Sequence, residues 1–241
     1  MTPAKSQALA ETLEALVDAN RILALEGVLD GYGHVSARHP DDPQRFLLSR
    51  SLAPELVTAD DILAFDQDSN PIGDGRRPYL ERYIHGEIYR RRPDVRAVVH
   101  SHSPSVVPFS ASSVRMRPIY HMSSFLGKGA GVWDIRKHFG CTDMLVSNNA
   151  QGKSLAEALG EDCVLLMRGH GFIAVAEAIP TVVFRAVYTE MNARLQASAA
   201  SIGGEITFLE PDEAAMSEAR NRGTIGRPWE LWRRKVAGKG G

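Results

Sequence analysis

The sequence predicts a single α/β domain. Three observations carry this. A chain of 241 residues with 44 % apolar and 24 % charged side chains is long enough, and ordinary enough, to bury one full core. Short apolar runs bounded by turn residues alternate with segments of helical period. No internal repeat, low-complexity tract or linker divides the chain. The composition also excludes classes. A net charge of −1 gives no whole-molecule field that would hold nucleic acid or a membrane surface. Cys141 and Cys163 lie far apart without ligand-pair spacing, so a disulfide framework is not expected and a reducing cytoplasm fits. The N-terminus has no unbroken apolar leader core, and no run is long enough to span a bilayer. The sequence therefore reads as that of a soluble cytoplasmic protein.

The elements follow in order. Residues 5–29 carry Leu9, Leu13, Leu16, Val17 and Leu23 near a 3.6-residue period, and Gly27 marks the end of that helix. Gly31-Tyr32-Gly33 turns into a strand through Arg38, and Phe46-Leu47-Leu48 partners it. Ile62 to Phe65 is a further strand, closed by the turn residues Asp68-Ser69-Asn70-Pro71. Residues 78–92 switch to helical period, with Pro78 in the first turn and Glu81 and His85 neighbours on the surface. Pro93-Asp94 ends that helix, and the strand Ala97 to His102 follows. Residues 117–131 form an irregular loop, and Leu155 to Leu159 a short helix. Val164 to Met167 and Phe172 to Val175 are strands around the turn Arg168-Gly169-His170-Gly171. Residues 180–200 form a long helix with Val183, Val187, Met191 and Leu195 on a four-residue repeat. Residues 205–241 are a tail holding Trp229 and Trp232, which should pack on this subunit or a neighbour.

Val98-Val99-His100-Ser101-His102 organises the rest. Strand side chains alternate, so His100 and His102 share a face roughly 6.6 Å apart. Two rings at that spacing lean onto one metal ion, or else face water at a strand end; the pair alone leaves both readings open. His170, between two glycines, is either a turn histidine or the third imidazole of a site with an open position. Glu81, whose helix leads into the His100 strand, is either an acid/base carboxylate or a plain surface glutamate.

The motifs G-x-x-S-x-R at 33–38, E-x-x-x-H at 81–85, V-V-H-S-H at 98–102 and R-G-H-G at 168–171 together resemble the class II aldolase/adducin family, in order and spacing, over about residues 10–200. The resemblance implies a three-layer α/β/α sandwich around a mainly antiparallel sheet. It implies one divalent metal ion (manganese, zinc, cobalt or iron) held by His100, His102 and His170, and it puts Glu81 in the place of the catalytic carboxylate. It further implies a homotetramer with active sites between subunits, so that the 205–241 tail packs at an interface.

The departures matter. Sugar-phosphate aldolases of the family hold phosphate with an Asn in the glycine turn and a Ser-Ser pair before the acid. Here His34 takes the Asn place and Tyr79-Leu80 precede Glu81. Ser49-Arg50-Ser51, Arg76 and Arg77 offer guanidinium forks that match carboxylates. Tyr120 and His121 sit where the aldolases keep a catalytic tyrosine from the next subunit, which makes His121 a proton-donor candidate. The expected function is a metal-dependent carbon–carbon lyase, foremost a decarboxylase of a hydroxylated aromatic or pyridine dicarboxylate such as a dihydroxyphthalate. The metal acts as a Lewis acid, Glu81 or His121 protonates carbon, and His34, Ser49, Arg50, Arg76 and Arg77 bind substrate. The alternatives are an aldolase for a non-phosphorylated or carboxylated substrate, a metal-free adducin-like binding module, and an iron oxygenase.

Overall fold

The computed structural model describes residues 7–238. In chain order these form α1 (Gln7–Leu25), β1 (His34–Arg38), β2 (Phe46–Ser49), β3 (Ile62–Phe65), α2 (Arg82–Arg91), β4 (Ala97–Ser101), α3 (Val107–Ser110), β5 (Gly131–Trp133), α4 (Arg136–Phe139), α5 (Asn149–Leu159), β6 (Val164–Met167), β7 (Gly171–Ala176), α6 (Ile179–Ile202), α7 (Pro211–Arg222) and α8 (Gly226–Ala237). The strands make one sheet in the order β3-β2-β1-β4-β7-β6-β5. Every neighbouring pair is antiparallel except β5 with β6.

The central strands β1, β4 and β7 are buried along their whole length, because helices cover both faces. Side-chain alternation divides them between two cores. Val35, Ala37, Ala97, Val99 and Phe172 pack with α1, α6 and α8. Val98, Ile173 and Val175 pack with α2 and α5. The result is a three-layer α/β/α sandwich, as the sequence leads one to expect.

Three local readings need correction. The 78–92 helix begins at Arg82, with Glu81 as its N-cap. Pro78 instead lies extended and bridges Arg50, and Leu80 and Glu81 turn the chain into the helix. The 155–159 helix begins earlier, at Asn149. Asn148 caps it by accepting from Gln151 N, and Gly152 lies where a side chain would meet Tyr83 of α2. On α6, Val183 and Val187 are buried but Met191 and Leu195 are each 39 % exposed. A four-residue repeat advances about 40° past each full turn, so the stripe winds off the core. Asn192 and Gln196 are buried instead, bonding the backbone of 115–119. The tail tryptophans pack on this subunit, one of the two places expected for them. Trp232 is 5 % exposed within the α1/α6 core, and Arg233 pairs with Asp18 and Glu14 of α1, each at 2.6 Å. The first helix ends as expected, with Gly27 at φ +70°; its expected first residues, 5 and 6, lie outside the described part.

Candidate metal centre

The middle of the sheet positions the site. Register sets His34 opposite His100, and His100 opposite Ile173, on the face covered by α2. His102 lies just past the end of β4, His170 in the β6–β7 turn, and Glu81 at the mouth of α2. Their reactive atoms converge. His102 Nε2 is 3.1 Å from His100 Nε2 and 3.0 Å from His170 Nε2. Glu81 Oε2 is 3.4, 3.9 and 3.5 Å from the Nε2 atoms of His100, His102 and His170. Among the described residues these four form one group whose donor atoms all lie within 4.8 Å of one another.

The backs of the rings fix their tautomers. His100 Nδ1 is 3.2 Å from the Phe172 carbonyl oxygen, and His170 Nδ1 is 3.1 Å from that of Met144. A carbonyl only accepts, so Nδ1 carries the hydrogen and Nε2 presents a bare lone pair. Glu81 Oε1 accepts from Val146 N at 3.0 Å, which leaves Oε2 facing the histidines. Burial holds His100 neutral, down to about 4, against the pull of Glu81. Burial pushes the Glu81 carboxyl up, but the three imidazoles, His100 foremost, bring it well below its usual range. Lone pairs and a carboxylate aimed at one point repel unless a cation lies between them. Three nitrogens and one oxygen suit a divalent ion, so the donor set fits the metal that the family implies.

The glycine motifs explain themselves here. Gly33 has φ +82°, and a Cβ there would lie 2.9 Å from the His100 carbonyl oxygen. A Cβ on Gly171 would overlap the Ser101 carbonyl. Both glycines let β1 and β7 close on the ligand strand. The His170 turn is held from outside by Arg168, whose Nε donates to Asp134 at 2.9 Å. Arg38 is buried and donates to the carbonyls of Val95, Tyr89 and Arg92, tying down the C-terminal end of α2. His85 is buried and bonds His34 and Ser36, not Glu81.

A cavity of about 640 Å³ opens beside the cluster, walled by Tyr32, His34, Arg77, Tyr79, Glu81 and His102 among others. Of the cationic candidates, Arg77 lines it and makes no side-chain hydrogen bond or ion pair among the described residues. Arg50 is paired with Asp61 at 2.7 Å, and Arg76 with Asp74 at 2.6 Å; neither lines the cavity. Ser49 is buried below it, with Oγ 3.5 Å from the Tyr79 hydroxyl. Tyr120 and His121 stand elsewhere in this subunit. Tyr120 is near Tyr188, and the His121 carbonyl accepts from Ser217 and Asn221 of α7. Residues not singled out from the sequence also border the cavity or the cluster. Tyr32 and Tyr79 are wall residues; the first stands between two glycines and the second two before the acid, which is a signal of place but not of role. Met144, at φ +71°, turns its carbonyl onto His170, and nothing in the sequence announces it.

This fold and this cluster of three histidines with a carboxylate define a class of protein. Residues 14–197 match the class II aldolase and adducin N-terminal domain, and the chain belongs to that family. Within it, the chain is 37 % identical over 248 residues to decarboxylase tropJ of Talaromyces stipitatus, covering 93 % of each chain. It is 31 % identical over 235 residues to 3,4-dihydroxyphthalate decarboxylase of Arthrobacter keyseri, covering 93 % of this chain and 92 % of that one. An aldolase II superfamily protein from Pseudomonas syringae shares the fold with a TM-score of 0.82 at 23 % identity, over 98 % of this chain and 96 % of that one.

Proposed function

We propose that this protein is a metal-dependent decarboxylase of a hydroxylated aromatic carboxylate, with a dihydroxyphthalate as the leading substrate. One observation carries the reading: the histidine–glutamate cluster shares a cavity with an unpaired arginine and two tyrosines. The names of the two decarboxylase relatives support it. A divalent ion held by His100, His102 and His170 would supply a Lewis acid that stabilises the electron pair left when the carbon–carbon bond breaks. Arg77 binds a carboxylate of the substrate through its guanidinium fork. Tyr32 and Tyr79 pack on the aromatic ring. Glu81, ionised before substrate binds, takes the proton of a substrate hydroxyl at Oε2 and passes it to the ring carbon that carbon dioxide leaves, while Val146 N–H keeps Oε1 in place.

The same reading places Tyr120 and His121 at a neighbour's cavity in a homotetramer, with α7 and α8 near the contact. The exposed apolar side chains Met191, Leu195, Met216 and Leu231 support such a contact. A cytoplasmic setting is supported by two free cysteines; among the described residues no helix is long and apolar enough to cross a membrane.

The test is carbon dioxide release from 3,4-dihydroxyphthalate and a panel of hydroxylated aromatic and pyridine dicarboxylates, using manganese- and zinc-loaded protein. Chelator-sensitive release supports the reading. An aldehyde or ketone product without carbon dioxide would make the protein an aldolase instead.

A further inference from the structure

A buried chain of side chains runs from the core to the wall of the cavity. The Tyr89 hydroxyl is 2.8 Å from Ser36 Oγ, Ser36 Oγ is 2.6 Å from His85 Nδ1, and His85 Nε2 is 2.7 Å from His34 Nδ1. Tyr89, Ser36, His85 and His34 are each 5 % exposed or less. Each contact holds one hydrogen between its two atoms, so an imidazole that accepts at one nitrogen carries its hydrogen on the other. Four hydrogens must then serve three contacts.

Only one direction places them all. If Tyr89 donates to Ser36, Ser36 donates to His85 Nδ1, and His85 Nε2–H donates to His34 Nδ1. The hydrogen of His34 is then on Nε2. In the reverse direction His34 donates inward, and the Tyr89 hydroxyl ends with a hydrogen and no acceptor. Ser36 is its one hydrogen-bond partner among the described residues. A stranded buried donor is disfavoured by roughly tenfold or more. The free end of the chain is the end that meets the cavity: His34 lines it, and its Nδ1 is taken.

We propose that His34 is a preset hydrogen-bond donor to an anionic oxygen of the substrate, its Nε2–H fixed by the Tyr89–Ser36–His85 chain. The ligand class, a carboxylate, rests on the function proposed above; the tautomer does not. His34 stands in the same cavity as Arg77, and together they give a carboxylate one neutral donor and one charged fork. Ser36, His85 and Tyr89 are positioning residues. A donor that cannot turn acceptor also rejects ligands that offer an ammonium or amine hydrogen at that point.

The experiment is two-bond proton–nitrogen correlation on zinc-loaded, ¹⁵N-histidine-labelled enzyme. The His34 signals are those lost in His34→Gln. The expected pattern is protonated Nε2 with bare Nδ1; protonated Nδ1, or both nitrogens protonated, overturns the proposal. Ser36→Ala should add a second set of His34 signals with protonated Nδ1, and an unchanged spectrum would remove Ser36 from the chain. Steady-state kinetics gives the second readout. His34→Leu should raise KM for 3,4-dihydroxyphthalate, and weaken inhibition by phthalate, roughly tenfold or more. His34→Gln, which puts an amide N–H near the Nε2 position, should recover most of the loss seen in His34→Leu. An equal loss in both variants would overturn the donor role. Phthalate binding and the Nε2–H tautomer without carbon dioxide release would sink the decarboxylase reading and leave His34 as the donor. Carbon dioxide release with the opposite tautomer would do the reverse.

Discussion

At the scale of the residue, the site is a set of atoms freed for use by what stands behind them. The Phe172 and Met144 carbonyls take the Nδ1 hydrogens of His100 and His170, and Val146 N–H takes one oxygen of Glu81. Loss of a group behind a ligand costs roughly 10–100-fold in metal affinity or activity, and loss of the ligand itself should cost more. His100→Ala should therefore abolish stoichiometric metal after dialysis, together with turnover. Metal analysis checks this, and a variant that keeps one ion per chain would remove His100 from the ligand set. Glu81→Gln keeps the size and one carbonyl acceptor for Val146 but cannot hold and release the proton. It should retain metal and lose about 10²- to 10⁴-fold in kcat, the usual weight of a positioned acid or base. Turnover near the wild-type level in that variant would show that Glu81 moves no proton.

Elements place these residues, and they do so by close approach. Gly171 lets β7 meet the backbone of Ser101 at the end of β4, so Gly171→Ala must push the two strands apart. The expected cost is about 1–3 kcal/mol, seen in the denaturant midpoint, with weaker metal binding because His170 precedes the shifted residue. A midpoint and metal affinity equal to wild type would mean that the strands adjust freely. The element scale also shows what was legible in the sequence. His100 and His102 could be read because a strand's two-residue period forces them onto one face. The glycines around His170 could be read because a tight turn needs them. The place of Glu81 is half legible: its helix can be read, but residues 78–81 read as helical while Pro78 lies in an extended bridge with Arg50 and Leu80 and Glu81 only turn into the helix. Arg77 and Tyr79, on either side of that bridge residue, both line the cavity. The partners of Arg50 and Arg76 could not be foreseen, because Asp61 and Asp74 meet them only through loop geometry.

For the whole molecule, the sandwich gathers into one point residues that lie far apart along the chain: 81, 100, 102 and 170. Binding of an ion to the folded state alone adds roughly 4 kcal/mol at a thousandfold excess over Kd. For a chain of this size 1 kcal/mol is worth about 2–4 °C, so loading should raise the melting temperature by roughly 8–16 °C. Calorimetry with and without a chelator checks this, and equal melting temperatures would mean that the cluster holds no ion. Both cysteines are free, so among the described residues no disulfide ties these segments together. An ion there would take the place of that staple, tying residues 81, 100, 102 and 170 together in the folded state alone. Metal-starved copies would open more often and be cleared by proteolysis, so a cell short of the ion would hold less of the protein as well as a slower form of it.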